Sequence, residues 1–107
     1  VKGKTAILVD DMVATAGSLI EAVEALTQKG VKEVYAAVSH GVLSGAAIDR
    51  IKNCKALKEV VITDSVPLSK EKDSSKIKVV TIAPLLAEAI HRIHNEESVS
   101  CLFDVTR

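Results

Sequence analysis

The sequence predicts a single α/β domain, a mostly parallel sheet of about four to five strands flanked by helices. Two observations carry this. Short apolar runs rich in branched residues recur at 5–9, 33–38, 59–63 and 77–82, as strands buried inside a parallel sheet do. Between and after them, stretches at 18–29, 45–53 and 83–94 repeat their apolar residues at helical spacing. The length, 107 residues, suits one domain (1–107) with one modest core.

Thr5, Ala6, Ile7, Leu8 and Val9 follow the Gly3-Lys4 turn and read as a first strand covered on both faces. A polar loop of small residues, 10–17, leads into a helix whose inner positions are Leu19, Ala22, Val23 and Leu26, with Gly30 as its left-handed stop. A second strand runs from Glu33 to Val38 and ends in Ser39-His40-Gly41. A short helix over 45–53 turns Ala47, Ile48 and Ile51 inward, and a third strand at 59–63 ends at Asp64-Ser65-Val66-Pro67. The charged run 69–76 reads as a solvated loop, 77–82 as a fourth strand, and 83–94 as a helix with Pro84 in its first turn. Leu86, Ala89, Ile90 and Ile93 form that helix's inner face. The end, 98–103, is apolar enough to pair or dock.

Basic and acidic residues balance at 14 each, so no bulk field draws the chain to nucleic acid or to an anionic membrane. An anion site would have to come from local geometry. Tyr35 and Phe103 are the only aromatic residues, which argues against a base-stacking platform for single-stranded nucleic acid. No apolar run approaches 18 residues and no signal peptide is visible, so a cytoplasmic protein is expected. Cys54 and Cys101 have no metal-type spacing and read as reduced structural thiols. The chain opens on Val1 directly before a strand, which suggests a piece of a longer protein.

In parallel α/β sheets ligands bind at the carboxyl ends of the strands. Three polar loops fall there, at 10–18, 39–44 and 63–67. The first carries the strongest chemical signal. Thr15, Ala16, Gly17 and Ser18 open a helix whose first N–H groups lack internal partners and have no bulky side chain above them. Such a turn attracts phosphate, and the hydroxyls of Thr15 and Ser18 can add donors. Asp10 and Asp11 would repel a bare phosphate, so they suit sugar hydroxyls or the water shell of a metal ion. The loop is neither a GxxxxGK[ST] phosphate loop nor a GxGxxG fingerprint.

The run from Val9 to Ser18 closely resembles the phosphoribosyl-binding signature of the type I phosphoribosyltransferase fold. Further blocks resemble the ribose-phosphate pyrophosphokinases (PRPP synthetases): Val38-Ser39-His40-Gly41-Val42-Leu43-Ser44-Gly45, Val61-Ile62-Thr63-Asp64-Ser65-Val66-Pro67, Leu86-Ala87-Glu88-Ala89-Ile90-His91-Arg92-Ile93 and the tail from Asn95 to Phe103. They occur in the family's order and span nearly the whole chain. The resemblance implies the C-terminal half of a two-domain, homo-oligomeric enzyme that transfers diphosphate from ATP to ribose 5-phosphate with Mg²⁺. It implies that Asp10 and Asp11 hold the ribose hydroxyls, directly or through Mg²⁺. Ala14, Thr15, Ala16, Gly17 and Ser18 would complete the site, mainly by main-chain donors to the 5-phosphate. No catalytic residue is assigned within this chain, and the isolated 107 residues are expected to bind without catalysing. Ser98, Val99, Ser100 and Phe103 match a regulatory phosphate/ADP region of the family; an ordinary edge strand with serines is the alternative.

Two departures stand out. Ala14 occupies a position where most synthetases carry a third acid, and Glu96 one where glycine is common. Ala14 motivates a second expectation, a catalytically weak, regulatory homologue that acts by assembling with active subunits. A free-standing phosphoribosyltransferase is a third, disfavoured because no hood segment for a nucleobase is visible. His40, at a strand end, could approach the ligand or fix the backbone. His91 and His94, three residues apart with no carboxylate cluster, belong to a helix surface.

Overall fold

The four branched runs become four strands paired in parallel in the order β1-β2-β3-β4: β1 (Thr5–Val13), β2 (Glu33–Gly41), β3 (Leu57–Thr63) and β4 (Ile77–Val80). Three helices follow the first, second and fourth strands: α1 (Gly17–Gln28), α2 (Ala47–Asn53) and α3 (Ala83–His94). The computed structural model describes residues 1–72 and 75–103; Asp73 and Ser74 of the charged run lie outside the described residues. The rest of that run holds a single 3₁₀ turn at Lys70–Lys72.

Several boundaries differ from the sequence expectation. β1 continues through Asp10 and Asp11 to Val13, and β2 through Ser39 and His40 to Gly41, because the ladder persists through Asp10↔Val38, Met12↔His40 and Val13↔Gly41. Backbone pairing does not depend on side-chain polarity. The loop therefore begins at Ala14, and the two acids stand on the strand itself. α2 starts at Ala47 and not at Gly45, whose φ of 59° is left-handed and cannot lie inside a right-handed helix. Gly30, with φ 93°, provides the expected stop after α1.

α1 and α2 cover one face of the sheet. Val34, Ala36 and Val38 of β2 and Val60 and Ile62 of β3 form the core there with Val23, Ala47 and Ile51 of the helices. The opposite face is open, which corrects the expectation of strands covered on both sides: Ile7 and Val9 are 70% and 79% exposed. Each parallel strand is added on the same side of the last, and right-handed crossovers stepping in one direction place their helices on one face. Alternation along β1 and β2 then sends Ile7, Val9, Tyr35 and Ala37 to the other.

α3 is also unlike its expectation. No residue of it is buried, and Ile90 and Ile93 are about two-thirds exposed. It follows the edge strand β4, and among the described residues no strand comes after it for α3 to pack back against. Its start is tied to the end of β3: the Asp64 carboxylate accepts from Thr81 Oγ1 (2.5 Å) and from the Ile82 N–H (2.9 Å). That tie takes Thr81 and Ile82 out of the fourth strand. The radius of gyration, 16.4 Å, exceeds the roughly 13 Å of a compact domain this long, as a projecting helix requires. Among the described residues the tail joins no strand. It forms a 3₁₀ turn at Ser100–Phe103, docked on α3 through Arg92 Nη1, which donates to the Ser98 carbonyl at 3.1 Å. Cys54 and Cys101 are both free thiols, and no helix among the described residues is long and apolar enough to cross a membrane.

Candidate functional site

The end of β1 and the start of α1 enclose a cavity of about 340 Å³, bordered by Asp10, Val13, Ala14, Thr15, Gly17 and Ser18. The chain turns there through Ala16, whose φ of 67° is left-handed and whose side chain is buried. This is a strained conformation for a residue with a Cβ, and such outliers concentrate at binding sites. Ala16 caps α1 without any side-chain hydrogen bond, and its carbonyl accepts the first helical bond, from Ile20 N–H at 3.0 Å. The N–H groups of Gly17, Ser18 and Leu19 thus have no acceptor within the helix. The small-residue turn thus forms a cavity at a helix N-terminus.

The structure separates the two acids. Asp10 borders the cavity, and its Oδ1 accepts the Asp11 N–H at 2.8 Å. Asp11 is exposed and does not border it. Ala14 presents only a methyl group at its rim. Among the described residues, no three His, Cys, Asp or Glu side chains gather as a metal cluster.

The three polar loops converge as expected. Val42 and Leu43 N–H groups donate to the Val13 carbonyl at 3.0 and 3.1 Å, and the Ser44 N–H to the Ala14 carbonyl at 2.9 Å. Thr63 Oγ1 donates to the Ser39 carbonyl at 2.5 Å, and Ser65 Oγ reaches the same oxygen at 3.2 Å. His40 Nδ1 meets Ser65 Oγ at 2.7 Å. With the serine hydrogen directed to the carbonyl, His40 is the donor and its Nε2 faces away from the serine. His40 thus braces the second loop against the third. Asp64, next to Ser65 in sequence, has its carboxyl held below the usual value by the Thr81 hydrogen bond and then by the Ile82 N–H, and through these bonds it anchors the start of α3.

One residue at the site carried no sequence signal. Arg50 of α2 reaches across and donates from Nη1 to the Thr15 carbonyl at 2.8 Å. Only packing of α2 beside α1 brings it there, and no local pattern announces that. Ser98 and Ser100 lie elsewhere, beyond α3. Their hydroxyls bond each other at 2.8 Å, the Ser100 N–H donates to Ser98 Oγ at 3.2 Å, and Phe103 is 78% exposed. None of Ser98, Val99, Ser100 and Phe103 borders the cavity.

A parallel sheet with a cavity at its strand carboxyl ends, closed by a helix N-terminus, is the arrangement of a ligand-binding α/β domain. Comparison with known proteins narrows the class. The model of the phosphoribosyl synthetase-associated domain family matches residues 1–104, and the chain belongs to that family. It is 60% identical over 103 residues to a ribose-phosphate pyrophosphokinase of Caldanaerobacter subterraneus, covering 96% of this chain and 32% of that protein. It is 50% identical over 103 residues to the Bacillus subtilis protein of the same name, again 96% of this chain and 32% of the relative. A crystal structure of phosphoribosylpyrophosphate synthetase from Mycobacterium smegmatis superposes with a TM-score of 0.86 at 42% identity, covering 90% of this chain and 32% of that one. The chain spans about a third of the length of the relatives it matches.

Proposed function

We propose that this chain is the ribose 5-phosphate- and PRPP-binding domain of a ribose-phosphate diphosphokinase, the C-terminal, type I phosphoribosyltransferase-like half of a cytoplasmic, homo-oligomeric enzyme. That enzyme moves the β,γ-diphosphoryl group of ATP to O1 of ribose 5-phosphate in nucleotide biosynthesis. The observation that carries the reading is the cavity itself, with bare helix N–H groups at one side and a carboxylate at the other. The cavity's volume of about 340 Å³ lies at the lower end of small-ligand sites, which suits one sugar phosphate.

In this reading the main-chain N–H groups of Ala16, Gly17 and Ser18 and the hydroxyls of Thr15 and Ser18 hold the 5-phosphate. Asp10 accepts from the ribose hydroxyls, and Asp11 contributes from the strand edge or through a metal's water shell. Asp10, already accepting a backbone N–H, and Asp11, which stands away from the cavity border, fit Mg²⁺ only as an ion that keeps most of its waters or shares substrate oxygens. A Mg²⁺ ion held there would supply positive charge against the phosphates. ATP is met by the remainder of the enzyme, because phosphoryl transfer needs cationic donors on the moving phosphates and residues 8–19 contain no lysine or arginine.

Calorimetric titration of the folded protein with ribose 5-phosphate and PRPP tests the reading; saturable binding abolished by Asp10→Asn supports it, and absence of binding by folded protein overturns it. Ala14 favours one second reading, a catalytically weak regulatory homologue, since a methyl group at the cavity rim neither accepts a hydroxyl nor holds metal water. In the intact protein, a large gain in turnover from Ala14→Asp favours the regulatory homologue, and no gain favours a working enzyme.

A further inference from the structure

We propose that Arg50 is the positioning residue of the phosphate cradle, aiming the Ala16 N–H and supplying the positive charge that the loop lacks. The inference rests on the phosphate-binding reading above. Its first ground is the peptide geometry. In a trans peptide the carbonyl and the following N–H point in opposite directions. The Arg50 guanidinium on the Thr15 oxygen, at 2.8 Å, therefore fixes the direction of the Ala16 N–H on the opposite side of the same plane. A cation on that oxygen also polarises the peptide and makes its N–H a stronger donor. The peptide so held leads into Ala16, in its left-handed conformation, so Arg50 braces the turn at its strained point.

Charge is the second ground. A sugar phosphate brings about two negative charges into a site that already holds Asp10 and Asp11. The end of α1 offers only about half a positive charge, and residues 8–19 contain no basic side chain. Arg50 forms no ion pair among the described residues, and the Thr15 carbonyl uses one of its five donors. Its Nη1 lies 3.8 Å from where a Cβ on Gly17 would stand, beside the first helical residue of α1. The side chain starts from a fixed base, because its neighbour Ile51 and Ala47, one turn earlier, are fully buried.

The test uses the intact protein and the variants Arg50→Met, Arg50→Gln and Arg50→Lys, titrated with ribose 5-phosphate and with inorganic phosphate, alongside thermal melting. Arg50→Met is expected to bind ribose 5-phosphate about 10- to 100-fold more weakly, as for a lost charge-assisted hydrogen bond. Arg50→Gln, which keeps a donor without charge, recovers less than Arg50→Lys, and the melting temperatures of the four proteins stay within a few degrees. Equal affinities for wild type and Arg50→Met overturn the inference and leave the binding reading standing. So does equal weakness of all three variants accompanied by a fall in melting temperature, which marks a brace of the fold alone. If the wild type binds neither ligand, reading and inference fall together.

Discussion

Gly41 closes β2 opposite Val13, one residue before the loop at 42–44 bonds back to Val13 and Ala14. It is buried. A Cβ at this position would stand 2.8 Å from both Cδ1 and Cγ2 of Ile62 and 3.1 Å from its Cβ. Carbon atoms prefer about 3.5–4.0 Å, so the nearest contacts are short by about 0.7 Å. Ile62 could swing Cδ1 aside, but moving Cγ2 takes a change of χ1 in the packed core and Cβ is fixed to the backbone of β3, so the site is relieved only by a strained rotamer or by separation of β2 and β3. Overpacking of this kind costs about 1–3 kcal/mol. Gly41→Ala should lower the urea midpoint correspondingly and the melting temperature by about 4–8 °C per kcal/mol for a domain of this size. Ile62→Ala, which removes the offending atoms, costs about 2–5 kcal/mol alone by leaving a cavity. The double variant should cost at least about 1 kcal/mol less than the sum, since each change answers the other. A neutral Gly41→Ala, or costs that add, would refute this steric account. The Val13 carbonyl, which accepts from Val42 and Leu43, moves with β2, so ribose 5-phosphate affinity should fall in Gly41→Ala as well.

The other expectations concern the ends of helices. Gly17→Ala meets nothing closer than 3.8 Å; it should leave stability unchanged or raise it by up to about 1 kcal/mol, yet its methyl crowds the cradle and should weaken phosphate binding about tenfold. Unchanged affinity by calorimetry would remove the cradle from the N–H groups of α1. Glu96 is left-handed at φ 57°, with Glu97 N–H on the Arg92 carbonyl (2.8 Å) and Glu96 N–H on that of Ile93 (3.2 Å), the closed C-terminal turn in which glycine is favoured. Glu96→Gly should stabilise that turn by about 1 kcal/mol, read as slower amide exchange at 96 and 97; no slowing counts against it. Because the Asp64 carboxyl is held below its ordinary 3.8, its hold on α3 is complete above that pH and is lost as pH falls through the lower folded value. Amide exchange at Ile82 should accelerate over that range in the wild type and show no such step in Asp64→Asn.

The fold class was legible because it rests on periodicity, and the alternation of branched runs with helical stretches survives any error at their ends. The ends themselves were less so. Asp10 and Asp11 look like the start of a loop to any reading of polarity, yet their backbones stay in the ladder, since main-chain pairing takes no account of the side chains. Which face of the sheet is covered is a property of strand order, not of composition: Ile7 and Val9 are as apolar as Val34 and Val38, and only the common direction of the crossovers leaves them open. The cradle divides in the same way. Thr15, Gly17 and Ser18 announce it by residue type. Ala16 does not, because a left-handed alanine has no signature of its own and is sustained by burial and by neighbours that hold its peptide. Arg50 is further still from local pattern, 35 residues from the carbonyl it grips. The turn at 14–18 is rich in small residues and has no cation of its own. In this fold the second helix places a guanidinium on the peptide that leads into the left-handed turn.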